Sequence, residues 1–232
     1  MITRVGANSA QGATITIPAG HKIGDIIVIF AFRDGSVTNP TIPSGWTNIT
    51  NTTDGTSCSV SIGWKVALSA SETSGTWTNA TGLVCLVYRG QQNIRSLTPF
   101  GTITATIGST NTITFGARAL AASGVTGSSW YLAFIGHSTA DTTIETAPTN
   151  MQMVTNSVGA SAEEAGFDTN GPAIENWPAT NVSVSGTAGN WITVVIELKA
   201  QGIVMNNFQF PTSTPNSTGA NPGVLSFTEK IR

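Results

Sequence analysis

The stretch GDIIVIFAF, residues 24–32, decides the fold. Seven consecutive apolar residues run from Ile26 to Phe32, and Ile26, Ile27, Val28 and Ile29 are all β-branched. Such a run is far shorter than the ~20 residues a membrane helix needs, and β-branching favours extended chain. Without alternation it reads as a strand buried on both faces. A polar turn follows, Arg33-Asp34-Gly35-Ser36, then Pro-rich extended chain and the corner Pro43-Ser44-Gly45-Trp46.

Outward from this run the chain is a succession of short strands. Upstream, ATITI (residues 13–17) alternates and is ended by Pro18. Downstream, residues 46–50 form a short strand and Asp54-Gly55 is a hairpin signal. Cys58, Val60, Ile62, Trp64 and Val66 alternate as in a half-buried strand. Residues 75–78, GTWT, read as a short edge strand, and LVCLVY (83–88) is a second continuous apolar run stopped by Arg89-Gly90. Residues 91–110 are a connector holding one strand, 101–107.

The same order then recurs. NTITF (111–115) stands for 13–17, WYLAFI (130–135) for the central run, and Pro148-Thr149-Asn150-Met151 for the Pro-Ser-Gly-Trp corner. Residues 163–168 fall where the alternating strand was, 181–185 where Trp77 was, and WITVVIEL (191–198) matches 83–88. Element order predicts two pseudo-repeated halves, about 13–90 and 111–200. Packed around a shared core they form an all-β, jelly-roll-like antiparallel β-sandwich over residues 1–200. Only GARALAA (116–122) reads as a short helix or turn. Beyond Ala200, one strand candidate (203–210) precedes PTSTPNSTGANP (211–222), which cannot form a core. Residues 201–232 therefore read as a terminal strand and extended arm, whose candidate contacts are Phe208, Phe210, Val224, Leu225 and Phe227.

Composition narrows the class. Charged residues make up 9 %, against roughly 25 % in ordinary globular domains. The surface must be covered by Thr, Ser, Asn and Gly, which leaves little repulsion between molecules and favours assembly. The ten basic residues are scattered, so neither a nucleic-acid stripe nor a lipid-anchoring patch is expected. The N-terminus lacks the apolar core of a secretory signal, which predicts a chain made in a cytoplasm that acts there, or leaves by lysis or as part of a particle. Cys58 and Cys85 read as two buried thiols, with an inter-strand disulfide as the alternative.

No catalytic constellation is legible. His21 lies in a Gly/Lys turn, and His137, Ser138 and Asp141 lie too close along one extended segment to converge as a triad. Glu163, Glu164 and Asp168 form the densest acidic group and read as a solvated loop, since neighbouring strand positions would point apart. No metal-ligand spacing and no phosphate-binding loop occur, so no metal, cofactor or catalytic residue is expected. Of the six tryptophans, Trp46, Trp64, Trp130 and Trp191 sit in or beside apolar runs and belong to the core. Trp77 and Trp177 have polar neighbours, which makes them the candidates for a glycan or partner contact.

Taken together, Gly24-Asp25 before the apolar run, Pro43-Ser44-Gly45-Trp46, Trp64-Lys65-Val66-Ala67, Gly75-Thr76-Trp77 and Tyr88-Arg89-Gly90 resemble a β-sandwich domain of tailed-bacteriophage structural proteins. The resemblance covers most of 13–90 and, more loosely, 111–200, where Met151 replaces the corner tryptophan. These are packing and turn motifs, so they carry fold and not activity. The resemblance implies a virion component: a capsid decoration or head-fibre protein, or a tail module. The expectation is a non-enzymatic, homo-oligomeric virion protein, possible as a trimer, that binds capsid or other virion proteins. The competing expectation is a tail-fibre module binding host glycan through Trp77 or Trp177.

Overall fold

The apolar runs 26–32, 83–88 and 130–135, with the largely apolar 191–198, form the middles of two sheets. The computed structural model describes residues 2–90, 99–120, 129–138, 144, 146–173 and 175–199. Its strands are β1 (Thr3–Gln11), β2 (Ile26–Asp34), β3 (Thr47–Thr53), β4 (Cys58–Val66), β5 (Gly82–Arg89), β6 (Phe100–Gly108), β7 (Thr112–Phe115), β8 (Trp130–His137), β9 (Gln152–Val158), β10 (Glu163–Asp168), β11 (Thr180–Ser183) and β12 (Trp191–Leu198). Among the described residues there is no helix. One sheet has the order β1-β5-β2-β4-β3, the other β6-β12-β8-β10-β9, and β7 pairs with β11 alone. Every pairing is antiparallel.

Each large sheet is drawn from one half of the chain. Matching β1 to β6, β2 to β8, β3 to β9, β4 to β10 and β5 to β12 gives both sheets the same order. The two corners also share a turn: Trp46 N–H donates to Pro43 O (3.3 Å) and Met151 N–H to Pro148 O (3.0 Å). The third residue of each, Gly45 or Asn150, has a positive φ (84° and 62°), the requirement that admits Gly or Asn there.

The sheets pack face to face as a sandwich, with three apolar layers in all. Between them lie Ile26, Val28, Phe30 and Phe32 of β2, Val84 and Leu86 of β5, Leu132 and Phe134 of β8, and Ile192, Val194 and Ile196 of β12. Phe30 and Phe134 stack at the centre, ring centroids 5.4 Å apart and planes within 3°. The alternate residues of the same strands bury the outer faces. Ile27, Ile29 and Ala31 pack under Ile15, Ile17 and Trp77; Tyr131, Ala133 and Ile135 pack under Ile113, Phe115 and Val182 of the small sheet. Burial on both sides is why these strands carry no alternation.

Several expectations change. Strand β1, TRVGANSAQ, has no apolar pattern and was not expected; it is an edge strand paired to β5. Residues 13–17 and 75–78 are extended cover without ladder pairing, joined where Trp77 N–H donates to Ala13 O (2.8 Å). The expected short helix or turn at 116–122 is extended chain over its described part, bridging Trp177 through Arg118. Cys58 and Cys85 are buried and free. The chain divides into two units, 1–202 and 203–232; the expected strand at 203–210 and the arm contacts Phe208, Phe210, Val224, Leu225 and Phe227 lie outside the described residues.

Candidate functional site: the polar seam between the sheets

The glycan-contact expectation for Trp77 and Trp177 is overturned by their burial. Trp77 is wholly buried and Trp177 is 3 % exposed. Trp77 lies under the outer face of the first sheet, its indole N–H donating to Ser74 O (3.1 Å) and its ring edge-on to Trp46 at 5.4 Å. Trp177 donates to Thr149 O (3.0 Å). It closes the floor of a cleft of about 300 Å³ that it shares with Tyr131, Asn150, Thr169 and Asn176, but no indole face is open to stack on a sugar. Trp130 and Trp191 are core, as expected, whereas Trp46 and Trp64 are half-buried.

The acidic group is corrected as well. Glu163, Glu164 and Asp168 are not a solvated loop; they are strand β10, wholly buried. His137 is also buried, as is His21, whose Nδ1–H donates to Pro18 O while Nε2 accepts from Glu72 N–H. The signal that could have placed β10 was its position in the recurring order. Its charges argued the other way, because their partners are remote in sequence.

Alternation along β10 sends Glu164, Gly166 and Asp168 into the space between the sheets and Glu163, Ala165 and Phe167 to the outer layer. Asp168 is fully compensated. Arg4 Nη1 donates to both its oxygens at 2.8 Å, Tyr88 OH to Oδ2 at 2.8 Å and Asn170 N–H to Oδ1 at 3.0 Å. Gln152 turns its carboxamide oxygen to the same guanidinium. Burial, and then the Asp168 carboxylate, push the Tyr88 hydroxyl well above its ordinary range.

Glu164 is treated differently. Its Oε2 accepts from Gln11 Nε2 at 2.7 Å, while Oε1 is buried with no donor. The carboxyl lies on Gly82, where an added Cβ would come within 2.1 Å of it. Burial, opposed by the Gln11 bond and reinforced by Glu163 and Asp34, pushes its pKa up to about 8. Asp34 at the end of β2 is also raised, by burial, against bonds from Ser161 and Gly35. On the outer side Glu163 is raised by burial, although Ile144 N–H reaches both its oxygens at 3.1 Å.

The seam is stitched along one side of the sandwich. Ser9 Oγ donates to Asn156 O (2.5 Å), and Gln11 Nε2 also reaches Ser157 Oγ (3.1 Å), so β1 is tied across to β9. Elsewhere, Asn190 ahead of β12 donates to Asp54 Oδ2 (2.5 Å) and Ser57 Oγ (2.7 Å) in the β3–β4 turn. Burial opposes ionisation of Asp54, but N–H groups of Cys58, Thr56 and Ser57 on its carboxylate hold it well below the usual range.

Among the described residues no group of three or more His, Cys, Asp or Glu side chains is placed to hold a metal ion. The seam residues compensate, or fail to compensate, charge between the two sheets. No protein-family model matches the chain, and no match was found among curated proteins or solved structures.

Proposed function

We propose that this chain is a non-enzymatic structural protein of a phage particle, in the first place a capsid decoration protein that acts by binding neighbouring subunits. The observation that carries the reading is the absence of charge on the sheet edges. Strands β3 (TNITNTT), β6 (FGTITATIG) and β9 (QMVTNSV) contain no Asp, Glu, Lys or Arg. The one charge on the fourth edge, Arg4 of β1, is committed to Asp168. Monomeric β proteins guard their edges with Lys, Pro, bulges or inward charge. Here each edge ladder has a register shift and Arg4 points inward, but outward-facing edge positions built from Thr and Asn carry no repelling charge, which suits a protein whose surfaces are covered in an assembly. The resemblance to phage β-sandwich domains and the shared strand order of the two sheets support the same reading, the latter as a duplicated unit. Low surface charge makes such contacts weakly salt-dependent. Homo-oligomerisation, as a trimer or otherwise, belongs to this proposal, as does location in the virion. The glycan reading has lost its two contact residues to the core and is not favoured.

The test is co-sedimentation of the full chain, and of a chain truncated after Ala200, with phage capsids lacking it. Binding by the full chain at both 50 mM and 500 mM salt is expected, and loss on truncation would make the C-terminal segment the tether. Failure of both forms to sediment with capsids would overturn the decoration reading.

A further inference from the structure

We propose that Glu164 is a proton-operated latch: it holds β1 against β9 and β10 while it carries a proton, and loosens that edge when the proton leaves to solvent. The argument begins with two carboxyl groups on one face of one strand. Glu164 and Asp168 are four residues apart, about 13 Å along the strand. Asp168 has a guanidinium, a phenol and a backbone N–H on it. Glu164, equally buried, has among the described residues a single neutral carboxamide on one oxygen and no donor on the other. A buried ionised carboxylate without a cation costs several kcal/mol, so such a group keeps its proton instead.

Among the described residues the surroundings supply no cation to replace that proton. From β1 the group facing Glu164 is the neutral Gln11, and Arg4 lies at the other end of the strand on Asp168. From β5 it is Gly82, with Tyr88 again at the Asp168 end. The β2–β4 pair contributes Asp34 and Cys58, an acid and a thiol held far up by burial and then by Asp54. From β9 comes Ser157, on the same Gln11 amide, and from the turn ahead of β10 comes Ser161, on Asp34. Glu163, and by alternation His137 of β8, lie on the opposite face of the sheet. The nearby acids therefore oppose a second negative charge.

The latch acts on β1 because Gln11 is shared. The same amide touches Glu164 and Ser157, and with Ser9 it makes the stitch from β1 to β9. Opening this edge lets Glu164 reach water and ionise at its ordinary value of 4.5, whereas closed it ionises at about 8. The closed state therefore binds the proton more tightly. Opening releases it, becomes easier as pH rises from about 5, and gains nothing further above about 8.

The experiment is hydrogen exchange read by mass spectrometry on the full chain from pH 5 to 9, corrected for intrinsic exchange, in wild type, Glu164→Gln and Glu164→Leu. In wild type, protection of residues 3–11 is expected to fall by up to ~tenfold per pH unit between pH 5 and 8 and then to level off. Either variant that folds should lose most of that slope, while Glu163→Gln should keep it. A wild-type protection factor independent of pH overturns the proposal whatever the variants do. So does a slope that persists unchanged in Glu164→Gln or Glu164→Leu.

Discussion

Replacing Phe30 and Phe134 by leucine, singly and together, tests the face-to-face packing of the two sheets. Both rings are wholly buried and stack in parallel at 5.4 Å. Each Phe→Leu change removes ring volume from a close-packed layer, a loss of about 1 kcal/mol with partial collapse of the site. Each also removes the ring pair, which contributes roughly 1 kcal/mol beyond area burial. Either single variant should therefore lose about 2 kcal/mol. The double variant loses the pair only once and should fall about 1 kcal/mol short of the sum. For a chain of this size that is a drop of roughly 4–8 °C in Tm for each single variant. Urea unfolding followed by tryptophan fluorescence gives the four free energies, and an unchanged m value shows that the denatured state is common to all. If the double variant equals the sum to within ~0.3 kcal/mol, the rings are not coupled and the stacking of β2 on β8 is wrong.

Arg4→Met should destabilise the fold by ~3 kcal/mol, because it leaves Asp168 buried without its cation; adding Asp168→Asn should return part of that loss, measured by the same urea curves. Cys58 and Cys85 are buried thiols whose pKa is pushed far up, first by burial. At pH 8 both should react with a thiol reagent only as fast as the chain opens, and labelling in the native state at the rate of a free cysteine would contradict their placement.

The middles of the sheets were legible and the periphery was not, for one physical reason. The runs 26–32, 83–88 and 130–135 and the strand 191–198 are buried on both faces, and an apolar run too short to cross a membrane as a helix has few other homes. Strand β1 makes its ladder with backbone groups that every residue carries, so Thr, Asn, Ser and Gln there leave no periodic mark. Trp77 misled because residues beside it in extended chain point the other way: the polarity of Thr76 and Thr78 describes their own exposure and not that of the indole. Glu163, Glu164 and Asp168 misled because charge implies solvent unless a partner is known. The partner of Asp168 is Arg4, 164 residues earlier in the chain. A sequence window cannot pair them, and only the packing of the second sheet on the first brings them together.

Three apolar layers also remove the usual guard against strand slippage. In a sheet with one wet face, a shift of one residue turns apolar side chains to water and is rejected at once. In β2 or β8 the same shift exchanges one greasy face for another. Alignment must then be kept by features that occur once: a side chain with a matching notch opposite it. Phe32 sits against Gly136, where a Cβ would come within 2.1 Å of the ring, and Trp77 sits against Gly63 at 2.9 Å. Bare backbone in β8 and β4, which would ordinarily weaken them, serves as index marks: Gly136 sets one sheet against the other, and Gly63 sets the outer cover on the first sheet.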